Sequence, residues 1–323
     1  MKTKMKNKIE IFFASDTNYL PYLSCALHSL SEHSSPDNEY RVHILTTDFS
    51  EESLAQTKEI VKSNITVSVH DLSERIAEIK SELSVRLRDY YSDSIYYRIF
   101  IPKMFPGLKK AVYLDADIIL NDDVANLYST NLEDNLLGAV TDESVVGIPI
   151  FCDYVKKQIG LADERDYFNS GVLVMNLSAM REERLEERFV HLLKTYNFDT
   201  VAPDQDYLNL ICRGRVLYLE SGWNKHPIAE NELKRSDLHL MHYNMFNKPW
   251  HYYGVQNEDL FWESARHTPF AHQLALAQRG YTKKERDRDL ECAKRLLLSA
   301  KRIAEGSVFM QNALCQIKSA DRY

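Results

Sequence analysis

Residues 9–14 form an apolar run broken only by Glu10 and stopped by Ser15, Asp16, Thr17 and Asn18. A short apolar run closed by turn formers predicts a buried strand. Tyr19, Leu20, Leu23, Ala26, Leu27 and Leu30 then recur at helical spacing, giving a first strand–loop–helix unit. Residues 40–45 and 65–69 read as further strands, with a helix at about 50–62 between them. Alternation of this kind predicts a mostly parallel sheet with helices on its faces. Such sheets bind ligands beyond the carboxyl ends of their strands, so polar clusters just after strands are the places to look.

Further along, 93–104 reads as a helix carrying Arg98, and 111–114 as a buried strand running directly into Asp115-Ala116-Asp117. Residues 136–140 form a strand ending at Asp142. A strand over 168–176 is entered through Asn169-Ser170-Gly171, and a charged helix over about 178–196 follows it. Pro203 can open a helix over 204–212, with Gly214 past its end. After 215–219 the chain is aromatic and irregular to about Tyr253.

The 323 residues carry a net charge of −7, which argues against wholesale nucleic-acid binding because phosphates demand a basic surface. Five scattered cysteines, Cys25, Cys152, Cys212, Cys292 and Cys315, fit a reducing cytosol better than a disulfide framework. No stretch approaches the roughly 20 apolar residues of a transmembrane helix, so a cytoplasmic location is expected. Residues 8–280 read as one α/β domain. Residues 281–323 differ, carrying ten Lys/Arg against six Asp/Glu, a net +4 that leaves −11 for the remainder. Leu290, Ala293, Leu296, Leu297, Ala300, Ile303 and Ala304 stripe this extension. Packing on the chain's own domain is the leading expectation, and lying on the inner face of an anionic membrane the alternative.

The sharpest local signal is Asp115-Ala116-Asp117, since two strand-end carboxylates can reach one hard divalent cation such as Mg²⁺ or Mn²⁺. Alone, such a pair has turn and capping roles as its ordinary reading. The second signal is His242, followed six residues later by Lys248 and then Pro249-Trp250. An imidazole ligand and a fixed cation would surround a diphosphate, while Pro249-Trp250 anchors the loop by burial. The third is Asp204-Gln205-Asp206, whose acids would complement a helix dipole even without a function. In the fourth, Asn169-Ser170-Gly171, the glycine permits a close approach.

Taken in order, Ala14-Ser15-Asp16 with Asn18-Tyr19, Arg98, Asp115 with Asp117, Phe168-Asn169 with Gly171, Asp204-Gln205-Asp206, and His242 with Lys248-Pro249-Trp250 resemble family eight of the glycosyltransferases. The resemblance covers roughly residues 8–253 and is nearest to the bacterial lipooligosaccharide α-galactosyltransferase and general-stress-protein branch. It implies a GT-A fold, UDP-galactose or UDP-glucose as donor, Mn²⁺ with Mg²⁺ as an alternative, and retention of anomeric configuration. It further implies Asp115, Asp117 and His242 as metal ligands, and Ala14, Ser15, Asp16, Asn18 and Tyr19 around the nucleoside. Arg98, Ala116 and Asp142 would contact the donor, Asn169 and Ser170 its sugar, and Lys248 its diphosphate. Gln205 would lie beneath the anomeric carbon with Asp204 beside it. The acceptor would be a glycan, glycolipid or glycoprotein. Two departures stand out: Met245 occupies a loop position where the family commonly has glycine, and Tyr90 one where it tends to have histidine.

Retaining glycosidases place a carboxylate under the sugar, whereas Gln205 is an amide and a poor nucleophile. A front-face route is therefore expected, with Gln205 steadying the oxocarbenium-like state and Asp204 as the alternative nucleophile. A haloacid-dehalogenase-type phosphatase also uses Asp-x-Asp after a strand, but it wants Thr or Val where Ile119 stands, and a late Gly-Asp pair that this chain lacks. A non-catalytic nucleotide-sugar binder or scaffold is the competing reading of another class, and a self-glucosylating primer protein is a further enzymatic variant.

Overall fold

The computed structural model describes residues 7–82, 93–228 and 233–313; Tyr90 lies outside them. The opening unit is β1 (Asn7–Ala14) and α1 (Leu20–His33), followed by β2 (Asn38–Thr46), α2 (Glu51–Ile60), β3 (Ile65–Asp71) and α3 (Ser73–Glu82). Then come α4 (Tyr97–Met104), β4 (Lys110–Asp115), β5 (Ile118–Leu120), α5 (Val124–Tyr128) and β6 (Leu137–Thr141). α6 (Pro149–Tyr154) runs into a π turn at Val155–Ile159 and is followed by β7 (Phe168–Asn176). The expected helix over 178–196 is two helices, α7 (Leu177–Glu182) and α8 (Leu185–Tyr196). They break at Arg184, which takes a left-handed φ of 53° that no helix interior accepts. α9 (Pro203–Ile211) begins on Pro203 as anticipated. β8 (Val216–Tyr218), β9 (Leu240–His242), α10 (Glu258–Arg266), α11 (Ala271–Gly280) and α12 (Lys283–Ala304) complete the order.

Seven strands form one sheet in the order β3-β2-β1-β4-β7-β6-β8. All neighbours are parallel except around β7, which runs antiparallel to β4 and β6. That reversal matters for the site. The amino end of β7, with Asn169, Ser170 and Gly171, lies among the carboxyl ends of its neighbours. Ala14 pairs with Asp115 at the ends of β1 and β4, and an irregularity after Ala139 brings Thr141 opposite Phe168. One apolar cluster fills the β1–β2–α1 side and another the α4–α6–α8–α9 side.

β5 and β9 form a separate antiparallel pair in which Ile118 faces His242. Sequence reading did not anticipate it, because a three-residue strand leaves almost no periodic signal. α12 starts on a capping box, with Thr282 and Glu285 each bonding the other's backbone N–H. Its Leu296, Ala300, Ile303 and Ala304 are buried in the cluster that includes Phe151, Tyr154 and Val155. Leu290, at the start of the anticipated stripe, is exposed. Among the described residues, no helix is long and apolar enough to cross a membrane.

Candidate active site

The carboxyl end of β4 delivers Asp115, and the turn after it delivers Asp117. The β5–β9 pairing then brings His242 back to the same point, although it is 125 residues downstream of Asp117 in the chain. One ligand atom from each of these three residues lies within 4.8 Å of the other two. His242 Nε2 is 3.2 Å from Asp117 Oδ1 and 3.8 Å from Asp115 Oδ2.

Each carboxylate divides its oxygens. Asp115 Oδ1 accepts from Arg98 at 2.9 Å and from Tyr113 Oη at 2.8 Å, leaving Oδ2 towards the imidazole. Asp117 Oδ2 accepts from Lys248 Nζ at 2.6 Å, leaving Oδ1 towards the imidazole. Burial opposes the Asp117 charge, but Lys248 and His242 together outweigh it and hold this carboxyl well below the usual carboxylate range.

The far side of the imidazole decides what the near side presents. His242 Nδ1 is 2.8 Å from Asn224 Oδ1. The amide of Asn224 is oriented in turn, since its Nδ2 donates to Asn169 Oδ1 at 3.0 Å. Asn169 Oδ1 also accepts from the Gly171 N–H at 2.9 Å. The network therefore places a proton on Nδ1 and leaves Nε2 as the nitrogen that faces the two carboxylates. This donor set of two carboxylate oxygens and one imidazole nitrogen fits a divalent metal.

A second layer of contacts runs from these three residues to Ser170, Asp204 and Gln205. Arg98 bonds the Ser170 carbonyl and, at 3.1 Å, its hydroxyl; its Nε also pairs with Asp204 Oδ2 at 3.3 Å. Burial raises the Asp204 carboxyl above its ordinary value against the pull of Arg98. Gln205 is fixed at both ends: Nε2 donates to Asp142 Oδ2 at 2.8 Å, and Oε1 accepts from the Ser170 N–H at 2.9 Å. Asp142 also accepts from Asn169 Nδ2 at 3.2 Å. Its own carboxyl is lowered, as His226 and the bonds from Gln205, Asn169 and Ser144 overcome burial.

Asp115, Asp117, His242, Lys248, Arg98, Asp142, Asn169, Ser170, Asp204 and Gln205 line one cavity of about 610 Å³, together with Ala14, Ser15, Asp16, Tyr19 and Ala116, while Asn224 and His226 support it from behind. Asn18 does not line it, being exposed on the turn Thr17–Tyr19. Met245 holds a left-handed φ of 55°, so the loop keeps the conformation that glycine takes most readily despite the bulkier residue. Lys248 also donates to the Tyr243 carbonyl at 2.7 Å and lies over the Trp250 ring at 5.2 Å.

Sequence reading missed Asn224 and Asn209. Asn209 ties α9 to β7, donating to the Phe168 carbonyl and accepting from its N–H, both at 2.9 Å. It also assigned Asp206 to the helix dipole. In the fold Asp206 is completely buried and accepts from Tyr154 and Tyr167, both at 2.6 Å, and from the N–H groups of Val201 and Ala202.

Residues 10–254 match the family model described as glycosyl transferase family 8. The chain belongs to that family. The galactosyltransferase LgtC, solved in complex with donor and acceptor sugar analogues, superposes on this family 8 chain with a TM-score of 0.67. It is 28% identical, and the match covers 81% of this chain and 96% of that one. The bifunctional glycosyltransferase WbbM gives a TM-score of 0.71 at 23% identity, over 87% of this chain and 53% of its own. The family 8 chain thus spans about half the length of WbbM, and that likeness concerns the fold. The lipopolysaccharide 1,3-galactosyltransferase of Salmonella typhimurium is 24% identical over 284 residues, covering 84% of this chain and 81% of the relative. The family 8 chain is a glycosyltransferase with the GT-A fold that its sequence predicted.

Proposed function

We propose that the chain is a retaining hexosyltransferase that moves galactose or glucose from a UDP-sugar to a glycan, glycolipid or glycoprotein acceptor. Mn²⁺ is the expected cation and Mg²⁺ the alternative. The reading is carried by one observation: Asp115, Asp117 and His242 turn three ligand atoms to one point inside the cavity.

These three residues would hold the metal, which when bound supplies a Lewis acid at the diphosphate leaving group. Lys248, already charged and fixed beside Asp117, would add a second positive centre for the departing UDP. Ser15, Asp16 and Tyr19, at the β1 end of the cavity, would hold the nucleoside. Asn169, Ser170, Arg98 and Asp142 would hold the donor sugar and fix the groups beneath it.

Gln205 would face the reacting carbon. Its Nε2 is committed to Asp142 and its Oε1 to the Ser170 N–H, so the amide is held rigidly and offers partial charge rather than a nucleophile. Asp204 is buried and its Oδ2 is taken up by Arg98 and the Ser170 hydroxyl, contacts that oppose its attack on the sugar. Both features support front-face transfer, in which the acceptor hydroxyl enters on the side that UDP leaves. A screen of UDP-sugar hydrolysis with and without Mn²⁺ tests the reading without an acceptor. Asp115→Asn should lose most metal-dependent turnover, and full activity in that variant would refute the metal assignment.

A further inference from the structure

The cavity continues past the sugar-facing residues to a wall of different chemistry. Ile148, Phe151 and Val155, from α6 and its flanking turns, line it together with Ala293, Leu296 and Leu297 of α12. The two helices pack on each other, and Phe151, Val155 and Leu296 are parts of one buried cluster with Leu297 set against it. None of the six side chains can donate or accept a hydrogen bond. The hydroxyls of Tyr154 and Tyr167, which line the same cavity, are engaged by Asp206 at 2.6 Å. A sugar ring pressed against this wall would lose water from its hydroxyls without replacement. An alkyl chain would gain by burial there.

The wall is fixed relative to the reaction centre. Tyr252 and Tyr281 both donate to Asp289 of α12 at 2.7 Å, and His251 stacks on Tyr281 at 4.0 Å. Gln278 donates to the Pro249 carbonyl at 2.7 Å. The loop carrying Lys248 is therefore tied directly to the helices that follow it. Arg302, near the far end of α12, pairs with Asp199. α12 lies beyond the residues matched by the family model, 10–254, whereas α6 lies within them, so it is the α12 half of the wall that the family match does not carry.

We propose that the α6–α12 end of the cavity is an acceptor subsite that selects a glycoside with an apolar, alkyl-type aglycone. The proposal rests on reading the remainder of the cavity as the hexosyl donor site. Occupancy by an aglycone follows from continuity: whatever lies on this wall shares one cavity with the transferred sugar.

The test is a chain-length series of methyl, butyl and octyl glucosides and galactosides, used below their micellar concentrations with UDP-sugar and Mn²⁺. Burial of each methylene raises affinity roughly fourfold, so kcat/KM should climb over the first few carbons and exceed the methyl value at least tenfold for octyl. Leu297→Gln and Ile148→Gln should flatten the series. Ile148 is 37% exposed, which keeps the second variant folded if the first is not. The octyl-to-methyl ratio is read within each variant, where a general loss of activity cancels. A ratio near one in the natural protein, or an unchanged ratio in both variants, overturns the subsite. Dissociation constants of the same glycosides, measured with UDP and Mn²⁺ but without turnover, separate the two readings. A retained chain-length series with no donor hydrolysis would overturn the donor assignment alone. Donor hydrolysis with a flat series would overturn the subsite alone.

Discussion

Asn224 Oδ1 lies 2.8 Å from His242 Nδ1, on the side of the imidazole away from the two aspartates. That contact sets the tautomer and therefore which nitrogen can take a metal. Partners of this kind contribute to metal affinity through ligands they orient. Asn224→Ala should weaken Mn²⁺ binding about 10- to 100-fold, read by titration calorimetry on the folded variant. Unchanged affinity would remove His242 from the ligand set.

Gly171 sits where no side chain fits. A Cβ built there would lie 2.4 Å from His242 Cε1 and 2.6 Å from Asp115 Oδ2. Relief would have to come from moving His242 or Asp115, because the glycine backbone is fixed in β7 and bonded to Asn169. Gly171→Ala should therefore cost about 1–3 kcal/mol of stability and lose metal binding more severely than its stability alone explains. Chemical denaturation and Mn²⁺ titration, run on the same sample, check both halves. Native-like metal affinity would mean that the two ligands do not need their present spacing.

Much of this site was legible in the sequence because its pieces sit at strand ends. Asp115 closes an apolar run, and Asn169 opens another. Pro203 marks the start of the helix that presents Asp204 and Gln205. The joining of those pieces was not legible. His242 reaches Asp117 through three residues of β5 and three of β9, too few to show a period. Asn224 lies in a buried turn at Ser221–Asn224, where nothing in the local pattern distinguishes it from a loop asparagine. The break at Arg184 was hidden because arginine is a good helix former, and nothing in its neighbours' sequence marks the left-handed backbone it takes. The bonding among Asp142, Gln205 and Asn169 exists only once β6, β7 and α9 have met.

Met245 tests the cost of a departure from glycine. Its φ of 55° is in the left-handed region, which costs an ordinary residue roughly 1–2 kcal/mol. Glycine would relieve that cost but give back about 0.4–1 kcal/mol through the greater freedom of the unfolded chain. Met245→Gly should thus be neutral to stabilising by about 1 kcal/mol. Met245→Ile, β-branched at the same position, should destabilise. Equilibrium unfolding in urea separates the three proteins. A clear loss of stability in Met245→Gly would show that the side chain's contacts outweigh its backbone strain.

Asp206 gives the fold a titration of known sign. Burial pushes its carboxyl up to about 6, although Tyr154, Tyr167 and the Ala202 and Val201 N–H groups pull the other way. A carboxyl raised in the folded state favours folding when protonated. Its contribution is fully present below the unfolded value near 3.8 and is lost as pH rises through about 6. Asp206→Asn cannot titrate, so the stability of the natural protein minus that of the variant should grow as pH falls from 7.5 to 4. The ceiling on that change is about 3 kcal/mol. The depressed carboxyl of Asp117 loses stability in the opposite direction over acid pH, but it is common to both proteins and cancels in the difference. Urea midpoints at half-unit pH intervals supply the measurement. A difference that stays flat across this range would mean that the four donors outweigh burial and keep Asp206 ionised throughout.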